Sequence, residues 1–140
     1  MTKETLNLIQ VSVIHAIGVD IQEISTIKQL IDNYGEKFLK KVFTVEEIKY
    51  CKNKINYAQH YCARFCVKEA FFKALGTGIG NNYNLSDVSC INLESGQPVL
   101  RFHGQTSRHM VSNNLEALVS LSHTDNYAVA NVLLKQNVQV

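Results

Sequence analysis

The chain has no tryptophan, a single proline (Pro98) and no apolar run approaching the roughly 20 residues needed to span a bilayer. Nor does it begin with a basic segment, an apolar stretch and a small-residue cleavage site, so no secretory leader is read and the expected compartment is the cytoplasm. Charge is sparse and balanced, at 19% charged residues and a formal net charge of +2. That excludes a general nucleic-acid or membrane binder and leaves any basic function to local clustering. No C-x-x-C or H-x-x-x-H pair is present, which removes the common zinc spacings. Cys51, Cys62, Cys66 and Cys90 therefore read as reduced, mostly buried thiols, with Cys62 and Cys66 four apart in a strongly helical segment. There is no internal repeat and no low-complexity segment.

What remains is 140 residues, 46% of them hydrophobic, enough for one domain with a real core and too few for two. Residues 1–10 read as a polar N-terminal extension and 11–136 as the domain. Val11, Val13, His15, Ile17, Val19 and Ile21 alternate with their neighbours, the period of a strand. Ile24, Ile27, Leu30 and Ile31 then recur at helical spacing until Asn33-Tyr34-Gly35. Thr44-Val45-Glu46-Glu47 has the spacing of a capping box and predicts a short helix ending near Asn53. Residues 56–75 contain neither proline nor glycine and predict the longest helix, with Gly76 past its end. A hairpin turning at Gly96 follows, then a short helix over 105–116 and strands over 118–122 and 127–134. The expected class is α+β, with helices concentrated in the first half and a mixed or antiparallel sheet.

Asp20 ends the first strand beside small residues, although aspartate is depleted in strands. It reads either as a cap for the next helix or as a ligand for a hydrated cation. Glu69 stands four residues before Lys73, so an i,i+4 ion pair is its bland explanation. Two carboxylates from separate elements with lysines nearby also fit Mg²⁺, which prefers one or two carboxylates plus phosphate oxygens and water. Arg64, Lys68 and Lys73 bring positive charge to the same helix, and Gly76-Thr77-Gly78 lets backbone approach a ligand. No Gly-Lys-Ser or Gly-Lys-Thr follows these glycines, which excludes a P-loop. His123 lies in a polar turn, able either to hydrogen-bond locally or to face a phosphate. His15, His60, His103 and His109 have no comparable company and read as structural.

Three separated motifs agree: Ile17-Gly18-Val19-Asp20-Ile21, then Arg64-Phe65-x-x-Lys68-Glu69-Ala70-x-x-Lys73-Ala74-x-Gly76-Thr77-Gly78, then Val119-Ser120-Leu121-Ser122-His123-Thr124. Together they resemble the holo-acyl-carrier-protein synthases, the small bacterial type of 4′-phosphopantetheinyl transferase. The resemblance implies transfer of the phosphopantetheine arm of coenzyme A to a serine of apo-acyl carrier protein, with release of adenosine 3′,5′-bisphosphate, in fatty acid biosynthesis. It implies Mg²⁺ held by Asp20 and Glu69, Lys73 neutralising phosphate charge, and Glu69 or a metal-bound water as the base. Arg64, Lys68, Lys73, Gly76, Gly78, His123 and Thr124 are then expected to contact coenzyme A. It further implies a homotrimer, with His123 and Thr124 reaching the site of a neighbouring subunit, and an acidic carrier docking on a basic surface. The chain departs from the family pattern at Ser25, Thr26 and Ile27, near a position where arginine is common, which implies shifted or weaker carrier docking. A coenzyme A or carrier-binding module without catalysis, and a magnesium-dependent coenzyme A hydrolase, are the alternatives.

Overall fold

The computed structural model describes residues 9–140, so most of the 1–10 extension lies outside the described residues. The elements run β1 (Gln10–Glu23), α1 (Ile24–Tyr34), α2 (Glu36–Val42), α3 (Val45–Cys51), α4 (Tyr57–Leu75), β2 (Val88–Asn92), β3 (Pro98–Phe102), α5 (Gly104–Ser112), β4 (Leu115–His123) and β5 (Tyr127–Gln139). A three-stranded antiparallel sheet has the order β1-β5-β4, and β2 and β3 form a separate antiparallel pair. Both sheets of the described residues are thus antiparallel, the second of the two arrangements expected.

Helix α4 is the centre of the fold. Tyr61, Cys62, Cys66, Val67, Ala70, Phe71 and Phe72 are all buried along it, and Ala128, Ala130, Val132 and Leu134 meet the same core from the inward face of β5. A helix buried on nearly every side has no solvated stripe, so its polar residues must be paired or placed at an opening. Gly76 ends it in the left-handed conformation (φ 78°), its N–H donating to the Phe72 carbonyl, as the glycine predicts.

The contact that sets the site is β1 against α4. A Cβ on Gly18 would lie 2.0 Å from the Ala70 carbonyl oxygen and 2.8 Å from the Ala74 nitrogen, so only glycine lets the strand come this close. Along a strand residues two apart share a face, so Asp20 and Gln22 follow Gly18 toward the helix while Ile17, Val19 and Ile21 point outward.

Several boundaries differ from those predicted. Helix α2 was not foreseen as a separate element; its seven residues are too few for a periodicity signal. Helix α3 begins at the expected capping box, where the Glu47 N–H donates to Thr44 Oγ1 and the Thr44 N–H to Glu47 Oε1, but it ends at Cys51. Helix α5 stops at Ser112, not 116, because Asn114 turns left-handed (φ 53°) and starts β4 at Leu115. Strand β5 continues past 134 to Gln139 because β1 pairs with it as far as Gln10.

Candidate active site

Asp20 is 8% exposed, and each of its carboxylate oxygens has a protein donor. The Lys73 ammonium donates to Oδ1 at 2.9 Å and to the Val19 carbonyl at 3.1 Å. The Gln22 amide donates to Oδ2 at 3.0 Å. Asp20 therefore does not cap α1, whose N-cap is Glu23 with no side-chain capping bond.

Glu69 sits on α4 one turn before Lys73, half-buried near Asp20. Burial, with a smaller contribution from the Asp20 charge, pushes its carboxyl above the usual carboxylate range, and Lys73 only partly offsets this. The ammonium bonds Asp20, not Glu69, so the i,i+4 ion pair is not what the structure holds. The hydrogen bond to Asp20 in turn raises the Lys73 ammonium above its ordinary value, keeping it charged. Two hard carboxylates and one cation converge where β1 meets the C-terminal half of α4. Among the described residues no group of three or more His, Cys, Asp or Glu is placed to hold a metal ion. A pair of carboxylates completed by phosphate and water is the way magnesium is commonly held, so Asp20 and Glu69 fit it.

Just beyond Lys73, Gly76 and Gly78 are left-handed (φ 78° and 70°), and a Cβ at either would meet nothing within 4 Å. Their glycine requirement comes from the backbone turn, which leaves an open surface beside the lysine.

Lys68 requires a correction. Its side chain is 0% exposed, and its ammonium donates to Glu47 Oε1 at 2.5 Å, to the Leu85 carbonyl at 3.1 Å and to the Val88 carbonyl. An ammonium has three protons, and all three are used inside the core, so none is left for coenzyme A. Glu47 is equally buried and also accepts the Cys90 N–H at 3.1 Å. Arg64 lies on the same side of α4, 5% exposed, with its guanidinium 4.5 Å from the Tyr50 ring centroid and donating to Asn92 Oδ1 at 3.0 Å. Its buried Nε has no partner among the described residues, and the side chain lines a cleft of about 110 Å³ between α3, α4 and β2. Arg64 thus keeps one buried donor without a partner, whereas Lys68 keeps none.

His123 and Thr124 are not brought to Asp20 and Glu69 within one chain. The His123 ring is hydrogen-bonded to the Gln59 amide near the start of α4, ten residues and roughly 15 Å of helix from Glu69. Strand β5 lies between its strand and that of Asp20. Thr124 Oγ1 accepts the Asn126 and Tyr127 N–H groups at 3.3 and 3.1 Å, shaping the β4–β5 turn. The four cysteines are free and buried; burial pushes the Cys51 and Cys90 thiols up to about 11 and leaves them un-ionised. Gln22 and Tyr50 were not singled out from the sequence. Gln22 was findable, since it lies two residues from Asp20 in a strand, but Tyr50 reaches Arg64 only through the packing of α3 on α4.

The family model of the 4′-phosphopantetheinyl transferase superfamily matches residues 16–132, which contain every residue named in this site. The chain is similar to the holo-[acyl-carrier-protein] synthase of Koribacter versatilis, 39% identical over 121 residues that make up 84% of this chain and 95% of that one. The corresponding protein of Ruminiclostridium cellulolyticum is 44% identical over 116 residues, 81% of this chain and 87% of that one. The structure of a holo-(acyl-carrier-protein) synthase from Bacillus anthracis in complex with CoA (3′,5′-ADP) superposes with a TM-score of 0.74 at 30% identity, over 88% of this chain and 97% of that one. The chain belongs to the 4′-phosphopantetheinyl transferase superfamily and, within it, to the enzymes of the holo-acyl-carrier-protein synthase type.

Proposed function

We propose that the protein transfers the 4′-phosphopantetheine group of coenzyme A to a serine of an apo-acyl carrier protein, with Mg²⁺, in the cytoplasm and in the service of fatty acid synthesis. The observation that carries this reading is the convergence of Asp20, Glu69 and Lys73 beside an open glycine turn. In the reaction the serine oxygen attacks the β-phosphorus of the pyrophosphate. The bond from that phosphorus to the bridging oxygen breaks, and adenosine 3′,5′-bisphosphate leaves. Mg²⁺ held by Asp20 and Glu69 would supply charge stabilisation to the pyrophosphate oxygens. Lys73, charged and more than half exposed, is free at its tip to turn from Asp20 toward a phosphate. Glu69 has a carboxyl raised above the usual carboxylate range by burial and is the group that accepts the serine proton, directly or through water. The backbone at Gly76 and Gly78 and the side chain of Arg64 contact coenzyme A; Lys68 takes no part.

The active form is a homotrimer in which His123 and Thr124 complete a neighbour's site. Two features support this. The first is that Ile17, Val19, Ile21 and Leu118 on the outer face of β1 and β4 are 67%, 54%, 63% and 53% exposed. A row of apolar side chains this exposed on one sheet face marks an interaction surface. The second is the separation of His123 from Glu69 within one chain, which a second copy would close. No helix among the described residues is long and apolar enough to cross a membrane.

The deciding experiment is intact mass spectrometry of purified apo-acyl carrier protein after incubation with this protein, coenzyme A and Mg²⁺, with an EDTA control. A metal-dependent gain of one phosphopantetheine is expected. An unmodified carrier with intact coenzyme A would point to a binding module, and cleaved coenzyme A to a hydrolase.

A further inference from the structure

We infer that Gln22 is a positioning residue for the Asp20 carboxylate, its amide pinning Oδ2 so that Oδ1 is left to the cation when Lys73 turns to the phosphates. This rests on the cation site proposed for Asp20 and Glu69. Each Asp20 oxygen has one side-chain donor, and the two donors differ in kind. Lys73 ends in solvent, with 55% of its side chain exposed, and in the proposed reaction it serves the phosphates, so it cannot hold Asp20 throughout. Gln22 is anchored: its backbone pairs with Ala128 of β5, and its carbonyl accepts the Cys62 thiol of α4 at 3.9 Å. Strand alternation places its side chain on the same inward row as Asp20.

The chemistry of the donor also fits. A second ammonium or guanidinium at this position would compete with the cation for the carboxylate, and an acid would repel it. An amide N–H orients the carboxylate without cancelling its charge, as outer partners of metal-binding carboxylates do. Loss of such a partner weakens cation binding by about tenfold or somewhat more.

The test is direct binding of Mn²⁺, followed by loss of the free-ion electron paramagnetic resonance signal, on wild type, Gln22→Met, Lys73→Met and Asp20→Ala. Gln22→Met keeps side-chain length and removes the donor. It is expected to raise the Mn²⁺ dissociation constant about tenfold, with the same shift in half-saturating Mg²⁺ for transfer and an unchanged KM for coenzyme A at saturating Mg²⁺. Lys73→Met, which removes a competitor, is expected to bind Mn²⁺ at least as tightly as wild type, an opposite response that a shared structural role would not produce. Should Gln22→Met melt well below wild type, Gln22→Asn, whose amide is one methylene short, takes its place with the same expectation. Wild-type Mn²⁺ affinity in the folded variant, with binding lost in Asp20→Ala, overturns the role of Gln22 alone. Wild-type affinity in Asp20→Ala as well removes the cation site itself, and the positioning role with it.

Discussion

Lys68 and Lys73 stand five residues apart on one helix, in one motif, and end in opposite circumstances. Toward α3 and β2, Lys68 is sealed at 0% exposure with all three protons given to Glu47 and two carbonyls. Toward β1, Lys73 is 55% exposed and shares one carboxylate with a neutral amide, beside a second carboxylate that no ammonium among the described residues holds. At Lys68 every proton is spent inside the core, so that side chain can only stabilise; at Lys73 charge is left at an opening, where it can bind and react. The difference shows that residue type and motif position do not assign a role. Saturation of the hydrogen-bonding groups does.

The largest expected effect lies on the open side. Asp20→Ala and Glu69→Ala should each lower transfer on the order of 10⁴-fold, about 5.5 kcal/mol, by the carrier mass assay, with melting temperatures close to wild type. A large fall in melting temperature would erase the contrast between the two sides. On the sealed side, Lys68→Met should strand the Glu47 carboxylate and destabilise the fold by about 3–5 kcal/mol in urea unfolding. Activity per folded molecule should be retained there, and its loss with a stable fold would return Lys68 to the ligand site. Lys73→Met should reduce kcat about 10²-fold with little change in stability, since an exposed ion pair contributes about 1 kcal/mol or less.

The smallest effect sharpens the comparison through pH. The Glu69 carboxyl is raised in the folded state, chiefly by burial and then by Asp20. Its contribution to stability is therefore fully present below its unfolded value and is lost as pH rises through the folded one. Glu69→Gln should melt slightly above wild type at neutral pH, and the gain should vanish on acidification through the carboxylate range. A variant that melts below wild type at neutral pH would contradict the burial penalty at Glu69.

Much of this was legible beforehand where the signal is local. The capping box at Thr44 and Glu47, the glycine end of α4, the alternation of β1 and the turn at Gly96 each depend on a few adjacent residues, and each stands as read. Helix α2 escaped because seven residues carry too little periodicity, and the end of α5 because a left-handed Asn114 has no sequence mark of the strength of glycine. At the site, Asp20, Glu69 and Lys73 were recoverable from motif and family resemblance. That Lys68 is consumed by Glu47, a residue chosen for a cap twenty-one positions earlier, was not.

By itself the sequence determined the class of the fold, its principal helix and strand signals and the residue types able to hold a cation against phosphate, because helix caps, strand alternation and side-chain chemistry are properties of short segments. Only the tertiary structure decided which lysine is buried, that Lys73 bonds Asp20 instead of Glu69, and that Gln22 stands behind the carboxylate. Those outcomes depend on how closely β1 approaches α4 over Gly18 and on which side of the helix α3 and β2 cover, and such contacts form between residues far apart in the chain.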